Sequence, residues 1–313
     1  MNKRTLYNQN DLGNVFGLAV AVMLVGSFVL SFIFLPFARP DGSMPDAAFW
    51  IMQAVYTLVI GGTAFLYAAI SKVDVLNATS LNRPPKFAHV GWGCLATLFL
   101  ISLMLPVNEW LMRLIVSFGL PEPSVDLPFD IVPLILVSCV MAAVTEEIVF
   151  RGTVARSLEA SNNKLAALAI SGALFSLFHV NPAQTVHQFV LGAFLALLVY
   201  RSGSVWTTVL VHFFNNIVAV LMSLTSVTDA FFADYWYVFL PIGLVGFVCS
   251  VYGYLKTTDS CWNVGASVNQ ENEPANELQQ TDQVANTRHS KLFLAIGVAV
   301  CLVMWICSLM GWI

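Results

Sequence analysis

Three ionisable side chains interrupt a strongly apolar stretch in the run Thr-Glu-Glu-Ile-Val-Phe-Arg at residues 145–151, and residues 131–144 before it carry no charge. A carboxylate or guanidinium at the centre of a bilayer costs about 2.5–3.5 kcal/mol on insertion scales, which favours a functional role for such residues. On a helix, Glu147 and Arg151 are four residues apart and can form an ion pair along one face. Glu146 is rotated by about 100° from Glu147. The spacing therefore predicts one paired carboxylate, Glu147, and one that is free for chemistry, Glu146.

Two later apolar segments contain further polar groups. His179 follows the run Phe175-Ser176-Leu177-Phe178, and His212 stands four residues before Asn216. At a rise of 1.5 Å per residue, Glu146, His179, His212 and Asn216 lie about 12–22 Å from the inner ends of their helices. Buried polar groups must be satisfied by one another or by water. We therefore expect these four side chains to meet in a polar chamber inside the membrane.

The chemistry available to such a group is specific. A carboxylate beside an imidazole can accept a proton from water as a general base and return it to a leaving amine. A His and an Asn on one helix face can donate hydrogen bonds to a developing oxyanion. Together they predict hydrolysis of a peptide bond without a covalent intermediate.

The composition indicates a polytopic membrane protein. Of 313 residues, 58% are hydrophobic and 10% are charged, whereas soluble domains carry about 25% charged residues. No basic stripe with interleaved aromatic residues suggests a nucleic acid partner. Five of the six cysteines lie in apolar runs without metal-ligand spacing, which indicates free thiols. We predict neither a cofactor nor a metal.

Hydropathy predicts an all-α bundle of about eight to nine transmembrane spans in three parts. Residues 1–130 hold the first spans and an amphipathic interfacial helix that begins at Asn108. Residues 131–224 form the core with the charged motifs, including two short apolar segments at 165–180 and 186–200. Residues 225–313 hold the last spans and a polar loop at 256–290, whose composition predicts disorder.

The distribution of basic residues predicts the orientation. With a cytoplasmic N-terminus, only Arg39 and Arg113 of the 14 Lys and Arg residues fall outside, which follows the positive-inside rule. We therefore expect a multi-pass protein of the lipid bilayer, in a bacterial plasma membrane, with its N-terminus in the cytoplasm.

The motifs EExxxR (Glu146, Glu147, Arg151), FxxxH (Phe175, His179) and HxxxN (His212, Asn216) occur in this order on successive apolar segments. Over residues 132–224 the chain resembles the CPBP family, the CAAX and bacteriocin-processing (Abi) membrane proteases with Rce1-like relatives. The resemblance implies an intramembrane glutamate protease that acts on membrane-embedded or lipidated peptides. It implies that Glu146 and His179 activate water, that His212 and Asn216 form the oxyanion site, and that Glu147 and Arg151 support them.

Other functions remain open at this point. Glu146 with two histidines could hold zinc, although no HExxH motif occurs. Intramembrane Glu and His also suit a transporter or proton relay, although no internal repeat is apparent. A membrane immunity or scaffold protein could keep the same motifs for packing, since an ion pair, a core histidine and a hydrogen-bonding Asn each occur in structural roles.

Overall fold

The computed structural model describes residues 3–121, 128, 130–159, 161, 163–224, 229–262 and 277–312. Over these residues the fold is helical, and eight helices are long and apolar enough to cross a membrane. The helices are α1 (Gln9–Phe34), α2 (Asp46–Ile70), α3 (Val75–Thr79), α4 (Phe87–Ser117), α5 (Ile131–Leu158), α6 (Lys164–Phe178), α7 (Thr185–Ser202), α8 (Val205–Ser223), α9 (Asp229–Asp234), α10 (Trp236–Thr257) and α11 (Glu277–Leu309). The predicted all-α membrane bundle is confirmed.

Large apolar side chains cover the outside of the bundle. Phe28, Ile70, Val245 and Val303 are each at least 60% exposed, which a soluble surface would not tolerate in such numbers. Helices satisfy their backbone hydrogen bonds internally, so they can present this surface to lipid. The outward faces of these helices therefore suit contact with acyl chains.

The helix α4 continues where the sequence predicted a break. It passes Pro106 and Asn108 without interruption and ends at Ser117. Membrane helices tolerate an internal proline. Two polar residues beyond it form a hydrogen bond, in which Arg113 donates to Glu109 at 2.8 Å. The prediction of a separate helix that begins at Asn108 is therefore wrong.

The polar loop predicted at 256–290 is largely ordered in its described parts. The helix α10 extends to Thr257 and α11 begins at Glu277. Between them, Trp262 is 8% exposed, and its ring packs 4.4 Å from the ring of Tyr200. One aromatic anchor thus orders the start of a segment whose composition is otherwise polar. Residues 263–276 lie outside the described residues.

Close backbone contacts fix the helices that carry the motifs. A Cβ on Gly172 of α6 would lie 2.5 Å from the carbonyl oxygen of Phe189 on α7, and a Cβ on Gly61 of α2 would lie 2.7 Å from the Thr145 side chain on α5. Small residues allow this approach between membrane helices. These glycine contacts therefore bring α6 close to α7 and α2 close to α5.

The helix α5 is not regular. Its backbone is π-helical over Leu134–Met141 and Phe150–Ala155, on both sides of the α-helical segment Ala142–Val149. A π-helical turn shifts the direction of the side chains that follow it, and such turns occur frequently at functional sites. Glu146 and Glu147 lie in the short α-helical segment between the two.

Candidate active site

Glu146 contacts two histidines from two other helices. Its Oε2 lies 3.4 Å from Nε2 of His179, at the end of α6, and 3.9 Å from Nε2 of His212 on α8. The side chains of Glu146 and His179 are 24% and 21% exposed, whereas that of His212 is 4% exposed. The sequence predicts that four side chains meet, and these distances bring three of them together: Glu146, His179 and His212.

The backbone fixes the proton on His179. Its Nδ1 lies 2.7 Å from the carbonyl oxygen of Phe175. A carbonyl oxygen only accepts, so Nδ1 must carry hydrogen. The neutral ring therefore turns the lone pair of Nε2 towards Glu146. The four-residue spacing of Phe175 and His179 has this physical reason, since the helix places the carbonyl of one residue beside the side chain of the other.

Glu147 accepts hydrogen bonds from both Arg151 and His212. Its Oε1 accepts from Nη1 of Arg151 at 2.9 Å and lies 2.8 Å from Nδ1 of His212. The side chains of Glu147 and Arg151 are both fully buried. A carboxylate only accepts, so Nδ1 of His212 carries hydrogen. The predicted ion pair forms, and Glu147 additionally orients His212, as carboxylates orient catalytic and metal-binding histidines in other sites.

Arg151 is anchored by contacts that its sequence position does not reveal. Its Nη2 donates to the carbonyl oxygen of Gly192 on α7 at 3.2 Å, and its guanidinium carbon lies 4.1 Å from the centre of the Phe175 ring. A cation above an aromatic face gains electrostatic stabilisation, and more so when it is desolvated. Phe175 is completely buried and therefore supports the cation as well as the helix packing.

The cluster combines two carboxylates, Glu146 and Glu147, with the single guanidinium of Arg151. The imidazoles of His179 and His212 both lie within 4 Å of Glu146. Buried ionised groups are favourable only when opposite charges or hydrogen bonds compensate them. The two histidines are therefore the groups that can exchange a proton with Glu146, and acid–base catalysis uses such an exchange.

Asn216 has a defined amide orientation. It lies 3.1 Å from the carbonyl oxygen of Ser138, in the π-helical part of α5. Because that carbonyl only accepts, the amide nitrogen of Asn216 must face it. The amide oxygen of Asn216 then accepts from Asn215 at 3.0 Å. One N–H of Asn216 remains for another acceptor. Asn215, the preceding residue in the chain, is thus a direct partner of Asn216.

A cavity of about 420 Å³ opens beside the first two of these groups. Glu146 and His179 line it together with largely apolar side chains from α1, α2, α6 and α11. His212 and Asn216 are not among its described lining residues. The structure therefore brings Glu146 and His179 to the cavity, places His212 next to Glu146, and keeps Asn216 on the helix of His212.

Val180 lines the same cavity in an unusual backbone conformation. Its φ is +51°, a region that β-branched residues rarely occupy. It follows His179 directly and ends α6 in mid-bundle. Within the described ranges, no cluster of three or more His, Cys, Asp or Glu has an arrangement suited to a metal ion.

Comparison with known proteins agrees with the position of this site. Residues 128–218 match the family described as type II CAAX prenyl endopeptidase Rce1-like. Comparisons with curated proteins and with solved structures give no match. The matched residues include all three motifs and end just after Asn216. Over this central segment of 91 of its 313 residues, the chain is similar to the Rce1-like family of CAAX proteases.

Proposed function

We propose that this protein is an intramembrane endopeptidase that hydrolyses membrane-embedded or lipidated peptides with water activated by Glu146 and His179. The observation that carries the proposal is the direct approach of Glu146 Oε2 and His179 Nε2, 3.4 Å apart, at the wall of a cavity. The match to the CAAX protease family supports the reaction class. An ion pair that served packing alone would need no cavity beside it.

In the proposed reaction, a water molecule binds between Glu146 and the scissile carbonyl carbon. The water gives a proton to Glu146, and its oxygen forms the new bond to that carbon. After this transfer, Nε2 of His179, whose lone pair faces Glu146, accepts a hydrogen bond from the protonated carboxyl group. The proton then passes to the amine nitrogen as the C–N bond breaks, so the group returns to its starting charge.

The oxyanion of the tetrahedral intermediate is proposed to meet His212 and Asn216. One N–H of the Asn216 amide donates to the carbonyl oxygen of Ser138, and the second N–H can donate to the oxyanion. His212 donates from Nε2 only as an imidazolium, because Nδ1 already donates to Glu147. Removal of an oxyanion donor lowers kcat by about 100- to 1,000-fold in other enzymes, and we expect the same here.

The proposal includes the orientation expected from the sequence, with the N-terminus on the cytoplasmic side. Arg113, one of the two basic residues expected outside, lies near the end of α4 and pairs with Asp234 at 3.3 Å as well as with Glu109. These partners neutralise it where the positive-inside rule disfavours a free cation.

The test is cleavage of a library of membrane-anchored peptides by the purified full-length protein in detergent. We expect Glu146→Gln and His179→Ala to lower kcat/KM at least about 100-fold with little change in thermal unfolding. Glu109→Gln, which removes a carboxylate from a partly exposed ion pair that does not line the cavity, is the matched control and should keep activity.

A chelator separates this mechanism from a zinc protease. Activity that survives the chelator and is lost in both variants supports the proposal. Activity that the chelator abolishes and zinc restores contradicts it. No cleavage by the folded wild type would favour a binding or scaffold protein.

A further inference from the structure

The first and last membrane helices contribute to the cavity at the candidate active site, although both lie outside residues 128–218. Met23 of α1 and Met304 and Ser308 of α11 line it together with Glu146 and His179. Met304 and Ser308 are four residues apart and therefore share one face of α11. Neither side chain can act as a general base, so their contribution is the shape and polarity of the wall.

This wall is held in place by close contacts. A Cβ on Gly13 of α1 would lie 1.8 Å from the carbonyl oxygen of Ser290 on α11, so the two backbones touch there. At the other end, Nε1 of Trp305 donates to Oγ1 of Thr185 at 2.9 Å. Thr185 in turn accepts at its carbonyl from Ser176, on the helix that ends at His179. The last helix, α11, is thus hydrogen-bonded to α7, which is in turn hydrogen-bonded to α6 just before His179.

The size of the cavity suits part of a peptide ligand. Its volume of about 420 Å³ lies in the range of ligand pockets, about 300–1,000 Å³. Successive side chains of an extended peptide point to opposite faces. An extended segment can therefore present a single side chain to this wall.

The chemistry of the wall defines which side chain fits. The cavity surface is mainly apolar, with Met23 and Phe178 almost fully buried around it. Methionine has three rotatable bonds and a polarisable sulfur, so it adapts to apolar groups of different shape. A large, flexible or aromatic apolar side chain fits this surface best.

We propose that Met304, with Met23 and Ser308, forms the specificity pocket for a large apolar side chain next to the scissile bond of an extended peptide substrate. The proposal rests on the proposed protease function and assigns a role to helices that the family match does not include. Met304 and Ser308 are specificity-determining residues and take no part in bond cleavage.

The experiment uses the full-length protein and a peptide library that varies the residues on each side of the scissile bond, analysed by mass spectrometry. Met304→Trp fills the cavity and should lower kcat/KM for large apolar residues at one position by about 10- to 100-fold, within the range of pocket discrimination. Peptides with Ala or Gly there should be cleaved as before. Met304→Ala enlarges the cavity and should shift the preference towards bulkier residues.

Ile306→Trp and Ile306→Ala are the matched controls, because Ile306 lies on the same helix but is 51% exposed on its outer face. They should leave the cleavage profile unchanged. If the wild type cleaves peptides and both Met304 variants keep its profile, the specificity pocket is refuted while the protease function stands.

A second series of peptides with attached alkyl chains tests another occupant of the cavity, a lipid chain. A change that follows alkyl length instead of residue type overturns the assignment to a peptide side chain.

Discussion

The contact between α2 and α5 gives a sharp test of how the fold positions the candidate base. Gly61 is buried against Thr145, whereas Gly62, the next residue on α2, faces open space. A Cβ on Gly61 would lie 2.7 Å from both Cβ and Cγ2 of Thr145, and a Cβ on Gly62 would have no neighbour within 4 Å. Gly61→Ala and Gly62→Ala therefore make the same chemical change with different structural consequences.

The size of the effect follows from the distances. Carbon atoms in contact prefer separations of about 3.5 Å or more, so Gly61→Ala requires a displacement of about 0.8 Å. Thr145 cannot easily rotate away, because its Oγ1 donates to the carbonyl oxygen of Met141 at 2.8 Å. The displacement therefore moves the α5 backbone beside Glu146. Overpacking of this kind costs about 1–3 kcal/mol, and an error of about 1 Å in a catalytic group can cost about 100-fold in rate.

For Gly61→Ala we expect a fall of about 100-fold in kcat/KM and a decrease of a few degrees in the thermal midpoint. For Gly62→Ala we expect unchanged activity and a change in stability below about 1 kcal/mol, the helix-propensity difference between Gly and Ala. Peptide cleavage and thermal unfolding in the same detergent measure both. Equal activity and equal midpoints for the two variants would refute the idea that the α2 contact positions Glu146.

Three further changes probe the support of the site. Glu147→Gln leaves the fully buried Arg151 without its counter-ion, and we expect unfolding to become easier by about 3–5 kcal/mol, seen as a large drop in the thermal midpoint. Asn215→Ala removes the donor to the amide oxygen of Asn216, and we expect a lower kcat at unchanged KM, whereas a change in KM alone would contradict the positioning role. Gly172→Ala places a Cβ 2.5 Å from a backbone oxygen of α7, and we expect a destabilisation of about 1–3 kcal/mol in the same unfolding assay.

Much of the site could be predicted because the spacing of polar residues on apolar helices carries geometric information. The pair Glu147 and Arg151 forms as the four-residue spacing indicates. Glu146, His179 and His212 converge because a charged or polar group inside a membrane bundle has few other partners. The family resemblance expected from the same motifs is confirmed by the match at residues 128–218.

The other features of the site depend on backbone groups and helix pairings that a sequence motif does not contain. Backbone carbonyls of Phe175, Ser138 and Gly192 orient His179, Asn216 and Arg151, and every residue has such a carbonyl. The double role of Glu147 depends on the rotation of α8 against α5, which periodicity does not determine. The cavity wall from Met23 and Met304 depends on the pairing of the first and last helices, which are far apart in the sequence.

The arrangement separates the two carboxylates by environment. Glu147 is fully buried, accepts from a cation and a histidine, and has the same partners in every step of the proposed reaction. Glu146 lies on the cavity wall, is 24% exposed, and faces a histidine at 3.4 Å, longer than the 2.7–2.9 Å of a strong charge-assisted bond. Acid–base chemistry requires a group whose proton can leave, and a firmly paired carboxylate resists protonation. The difference in burial and partners between the adjacent glutamates therefore supports the proposal that Glu146 acts as the base and that Glu147 orients His212.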